Sequence, residues 1–128
     1  MIRFIAVALG GAVGAMARYG ISLLINGMFD GPAPVATWTV NLLGCLLIGF
    51  LVPFLTGLSV SMPVQLFVLV GFLGSLTTFS TFSMESVVLW EDGRIILLML
   101  NAVASVAAGI LLVWAGMKAH ALIYPVAG

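Results

Sequence analysis

The run Gly71-Phe-Leu-Gly-Ser-Leu-Thr-Thr-Phe-Ser-Thr-Phe-Ser83 holds the densest set of groups able to handle an ion. Gly71 and Gly74 are followed by six hydroxyl residues (Ser75, Thr77, Thr78, Ser80, Thr81, Ser83) and by Phe79 and Phe82. The run lies inside the third of four long apolar segments. In hydrocarbon an unpaired backbone group costs several kcal/mol, so irregular backbone persists only where protein buries it or a cavity receives it. A Gly/Thr/Ser-rich interruption at such a position points to an ion or substrate site. The same letters also suit a continuous helix, packed closely through its small residues, with hydroxyls bonded to the preceding turn.

Two ion chemistries fit the run. Hydroxyls and an amide can replace the water of a small, strongly hydrated anion without burying a fixed charge. Phe79 and Phe82, three apart, are neighbours on a helix, and their ring edges are electropositive. Plain packing is the ordinary role of such rings. Carbonyls freed by a break are hard oxygen ligands that suit an alkali cation. Enzyme chemistry fares badly: the chain has no Cys/His cluster for a metal, no phosphate loop with its lysine, and no nucleophile–base pair at useful spacing.

Composition sets the frame for these residues. Hydrophobic residues make up 63% of 128 positions and charged residues 6%, against roughly a quarter charged in soluble domains. This is the composition of an integral membrane protein. At about 20 apolar residues per crossing, residues 1–128 hold a single four-helix transmembrane domain. A net charge of zero argues against nucleic acid as a partner. The lone Cys45 excludes an internal disulfide.

The first span is expected over about 2–28. Its opening (Arg3, an apolar run, Ala15-Met-Ala17) resembles a secretory signal, but the segment is long enough to span and is read as retained. Gly10 and Gly14 form a GxxxG pair for close helix approach. Arg18, late in the span, is either a snorkelling interfacial arginine or a positive charge near a pore mouth. Asn26 to Pro34 is a turn cluster. The second span is expected over about 37–55, with Trp38 as an interfacial anchor. Asn41 within it is either interhelical glue or a donor into a pore. The third span, about 64–90, carries Glu85, the only carboxylate near membrane depth. The fourth, about 95–117, carries Asn101, Ser105 and Gly109 on one face, a stripe for packing or for a water-filled path. His120 is read as a solvated end.

Four spans put both termini on one side. That side carries Arg3 and Lys118; the other carries Arg94, with Arg18 near it. The lysine and arginine imbalance that orients short-looped proteins is therefore close to zero, so two oppositely inserted copies could pair as an antiparallel dimer.

Three stretches resemble the Fluc (CrcB) family of microbial fluoride channels: residues 10–19 (Gly-Gly-Ala-Val-Gly-Ala-Met-Ala-Arg-Tyr), residues 39–44 (Thr-Val-Asn-Leu-Leu-Gly) and the 71–83 run. The resemblance covers the whole chain, in size, span number and motif order. It implies an all-α membrane protein of four transmembrane helices per subunit, the third broken mid-membrane. It also implies an antiparallel, dual-topology homodimer in the cell inner membrane, with two fluoride pores at the subunit interface. By the same resemblance, Phe79 and Phe82 are the pore phenylalanines and Asn41 the pore amide. The carbonyls of Gly74 and Thr77, taken from both subunits, hold a central structural sodium ion. Ser80, Thr81 and Ser105 match a hydroxyl track, Glu85 a carboxylate near the pore exit, and Arg18 an arginine near the vestibule. Two positions depart from the pattern: Ser75, where glycine is common, and Asn101, where some members carry tyrosine.

The expected function is passive export of cytoplasmic fluoride. A proton-coupled exporter of organic cations is the alternative, with Glu85 as its only candidate acid. A structural membrane subunit without transport is the third reading.

Overall fold

The computed structural model describes residues 1–29 and 34–125. Its described residues form helix α1 (Ile2–Met28), helix α2 (Val35–Gly57), a helical segment α3 over 62–76, helix α4 (Phe79–Glu91) and helix α5 (Ile95–Ile123). α3 and α4 follow one another within one crossing, Met62–Glu91, which gives four segments long and apolar enough to span a membrane. Even the 23-residue α2 reaches ~35 Å at 1.5 Å per residue, beyond the ~30 Å of hydrocarbon. The chain is a multi-pass membrane protein. Of the turn cluster at Asn26–Pro34, residues 30–33 lie outside the described residues, and α1 runs on through its first part to Met28.

The fourth helix is longer than its apolar run. Polarity begins at Lys118, but nothing from 118 to 123 opposes helix, and α5 stops only at Tyr124, the residue before Pro125. His120 is thereby a helical residue and not a solvated end. Its ring stacks on Tyr124 at 5.3 Å and meets Phe50 and Phe54 edge-on at 5.8 and 6.4 Å, tying the end of α5 to α2.

Lipid tails are as apolar as leucine, so burial alone does not hold helices together here; close van der Waals contact does. Two helix pairs achieve it through glycine. α1 lies on α3, where a Cβ added at Gly10 or Gly14 would strike the carbonyl oxygens of Phe67 and Phe72, and one at Gly71 would strike α1 backbone. α2 lies on α5 in the same manner, through Gly49 and Gly116. The middle of α3, Leu66–Leu73, is wound as a π-helix. Each π turn takes one more residue than an α turn, so side chains beyond it are re-aimed.

α4 ends in a Schellman turn. Gly93, at φ 69°, donates to the Trp90 carbonyl at 3.0 Å, and Arg94 donates to Leu89 at 2.9 Å. This reversal lets α5 return beside α4.

The packing gives a direct comparison. Gly14→Leu must push α1 off the Phe72 backbone and is expected to destabilise the protein by about 1–3 kcal/mol. Gly20→Ala, with nothing within 4 Å, should be neutral or slightly stabilising. Thermal unfolding of the two variants in detergent measures the contrast.

Candidate ion site at the interrupted third span

Between α3 and α4 the backbone leaves the helix for two residues. Thr77 sits at φ −84°, ψ 156° and Thr78 at φ −149°, ψ 116°, both extended, a region that suits β-branched side chains. Thr78 then caps α4, its hydroxyl accepting the Thr81 N–H at 3.3 Å, as threonine commonly does at a helix start. The same hydroxyl lies 3.0 Å from the Thr81 hydroxyl and 3.3 Å from that of Ser80.

An interruption of this kind strands backbone groups, and Asn41 of α2 takes up one residue's worth. Its Oδ1 accepts the Thr78 N–H at 2.7 Å, and its Nδ2 donates to the Thr78 carbonyl at 3.0 Å. One N–H of the carboxamide remains for another acceptor. Arg18 of α1 reaches the neighbouring carbonyl, with Nη1 3.4 Å from the Thr77 oxygen. The Thr77 hydroxyl bonds back to the Leu73 carbonyl at 3.0 Å, and Gly44 leaves room for its methyl. Among the described residues, no backbone N–H from beyond the break returns to the carbonyls of residues 74–76. Gly74 is exposed, with open space where a Cβ would stand. Beside the turn lies a groove of about 340 Å³, edged by Asn41, Gly44, Cys45, Gly74, Thr77 and Phe79.

The structure thus gathers Asn41, Gly74, Thr77, Phe79, Ser80, Thr81 and Arg18 at one turn. Phe82 joins them through Phe79, their ring centroids 5.5 Å apart at 30°. Phe79 is 77% exposed on the single chain, and Ser80 and Thr81 are exposed beside it. Glu85 and Ser105 stand apart. Glu85 lies farther along α4, where one carboxylate oxygen accepts the Thr37 hydroxyl at 2.7 Å and the other is buried without a partner among the described residues. Ser105 Oγ, on α5, is likewise buried and unpartnered among them.

Two residues have partners that their letters did not suggest. Trp38, read as an interfacial anchor, donates its indole N–H to Asn101 Oδ1 at 2.6 Å. Asn101 is wholly buried and donates in turn to Ser86 Oγ at 2.9 Å. Partners 63 and 15 residues apart leave no mark in local spacing, so neither Thr37, Trp38 nor Ser86 could be found that way. Thr78 stood among the hydroxyls, but its role as cap and clamped residue depends on Asn41, 37 positions earlier.

Removing the clamp tests its weight. Asn41→Ala leaves the Thr78 N–H and carbonyl without partners, and at about 1–3 kcal/mol per stranded buried group this should lower thermal stability strongly. Hydrogen exchange at the Thr78 amide should rise together with it. A variant with unchanged melting and exchange would mean that the two bonds contribute nothing.

The family model described as CrcB-like protein, Camphor Resistance (CrcB), matches residues 5–117. The protein named Fluoride-specific ion channel FluC in Shewanella halifaxensis (strain HAW-EB4) is 42% identical over 112 residues, covering 88% of this chain and 90% of the relative. Its namesake in Salinibacter ruber (strain DSM 13855 / M31) is 40% identical over 116 residues, covering 91% and 87%. That in Geobacter sp. (strain M21) is 40% identical over 124 residues, covering 95% of this chain and all of the relative. A family match over nearly the whole of the four spans, with relatives of this identity over most of their length, places the chain in the CrcB family.

Proposed function

We propose that this chain is a fluoride channel that works as an antiparallel homodimer and lets fluoride leave the cell passively across the inner membrane. The observation that carries the reading is the two-residue extended turn at Thr77–Thr78, clamped by Asn41 and opening beside Phe79 and Phe82. It occurs in a chain about two-fifths identical, over most of its length, to relatives named as fluoride-specific channels.

Fluoride is small and strongly hydrated, so a path for it must supply donors in place of water. The free N–H of Asn41, the hydroxyls of Ser80 and Thr81, and farther along that of Ser105 are such donors. Phe79 and Phe82 add electropositive ring edges, which attract a small anion without fixing it in place as a buried cation would. Glu85 stands toward the exit, and Arg18 supplies positive charge near the entrance to the turn. The exposure of Phe79, Ser80 and Thr81 on one chain supports a second copy, because hydroxyls and a broken backbone do not face hydrocarbon. The near-equal charge of the two sides supports insertion in both orientations.

The donor set also fits a central sodium ion. Gly74 is exposed, its carbonyl receives no backbone bond from beyond the break among the described residues, and both it and the Thr77 carbonyl are hard oxygens. One chain offers two such ligands, too few for an alkali cation, so the fit requires the same pair from an inverted copy. When bound, sodium supplies positive charge that braces the crossing of the two third spans. Arg18, near the Thr77 carbonyl, leaves that oxygen its second lone pair.

The exporter alternative, which rests on Glu85 alone, finds no support among these relatives. Purified protein in liposomes distinguishes the two. Fluoride should leave rapidly at fixed pH with no proton exchange, while chloride is retained. Phe79→Ile or Phe82→Ile should slow fluoride by about tenfold or more, equivalent to ~1.4 kcal/mol of lost barrier lowering. Vesicles holding the wild-type protein that release no fluoride would overturn the proposal.

A further inference from the structure

We infer that Asn101 is a positioning residue for the helix that carries the pore phenylalanines, acting through a one-way chain of hydrogen bonds that ends on Phe82. The inference rests on the reading of Phe82 as a pore residue. The chain begins at Trp38, whose indole nitrogen can only donate. It must therefore meet the oxygen of the Asn101 carboxamide, as it does at 2.6 Å. That fixes the flip of the amide and turns Nδ2 toward Ser86, 2.9 Å away. Ser86 Oγ, accepting from Asn101, has its own hydrogen left to give, and it donates to the Phe82 carbonyl at 2.8 Å. Each link sets the polarity of the next, and Asn101 at the centre is 0% exposed.

The chain does not act alone. Glu85, adjacent to Ser86, accepts from Thr37, adjacent to Trp38. Two consecutive residues of α2 thus hold two consecutive residues of α4, one directly and one through Asn101 of α5. Such a double attachment resists rotation of α4 about its own axis. Phe82 lies one turn before this pair on the same face. With side chains ~6 Å from the axis, a rotation of about 15° would carry its ring by ~1.5 Å. A site that discriminates ions by ring edges and hydroxyls is sensitive to displacements of that size. Ordinary interhelical glue would hold the helices together without caring which hydroxyl direction reaches Phe82, and this is the difference to be tested.

Wild type, Ser86→Ala, Ser86→Thr and Asn101→Leu are compared for melting in detergent, for fluoride efflux from liposomes and for fluoride over chloride selectivity. Ser86→Ala removes two hydrogen bonds and strands the buried Asn101 Nδ2–H, so melting should fall; efflux is expected to slow by about tenfold and selectivity to drop, the readout that lost stability alone would not move. Ser86→Thr keeps the hydroxyl and should behave as wild type. Asn101→Leu should lower efflux and selectivity at least as far as Ser86→Ala; if it does not fold, the two Ser86 variants decide the matter. Equal efflux and selectivity in Ser86→Ala, Ser86→Thr and wild type would overturn the inference and leave the network as glue. Wild-type protein that carries no fluoride would instead remove the channel reading itself, and this inference with it.

Discussion

A helix can stop inside an apolar segment only if something else bonds the groups that helix would have bonded, and here one carboxamide meets that need for Thr78. Asn41 presents an acceptor and a donor at the spacing of a peptide group, so Thr78 pairs with it as it would with a neighbouring strand. The two residues that leave the helix are β-branched and rest comfortably in extended backbone. Thr78 then starts the next helix with its own hydroxyl. The remaining cost falls on the carbonyls of the preceding turn; Arg18 stands beside that of Thr77, and Gly74 is exposed. The chemistry available to an ion is what the clamp leaves over.

The rest of the molecule fixes α2 where Asn41 can reach the turn. Glycine contacts press α1 onto α3 and α2 onto α5, backbone against backbone, so the pairs admit little sliding. Gly44, one turn from Asn41 on α2, makes way for the Thr77 methyl. The π-wound stretch just before the break changes which side chains meet α1 and which face outward. Rigid contact on one side of the break and a polar attachment on the other leave α4 located by its hydrogen bonds.

The four spans were legible in the letters because apolar run length is a one-dimensional quantity, and the GxxxG pair on α1 is a local pattern that packs as its spacing implies. Helix ends were less so. The apolar run stops at Met117, but the helix obeys backbone preference and continues to Ile123, which carries His120 into an aromatic cluster. Residue types at the turn were visible as a glycine–hydroxyl run, though the same run suits an unbroken helix. Choosing between those requires knowing that Asn41 lies opposite Thr78, a contact across 37 positions. The mutual contact of Trp38 and Asn101 was out of reach for the same reason. A tryptophan near a span end commonly sits at the interface, and only the third dimension puts a buried acceptor beside this one.

Polar groups are unevenly distributed along α4. Glu85 and Ser86 turn inward to Thr37 and Asn101, while the exposed positions past the first turn are mostly apolar: Met84, Val87, Val88 and Trp90. On α4 the exposed hydroxyl residues are Ser80 and Thr81, beside the break. Both lie within hydrogen-bond distance of the Thr78 hydroxyl, so they belong to the cap of α4 as well as to its exposed face. A helix lining an open aqueous channel would be polar along the whole face. A short polar patch set in an apolar face is what the proposed dimer would need: a second copy covering the apolar part, with only the turn left to an ion.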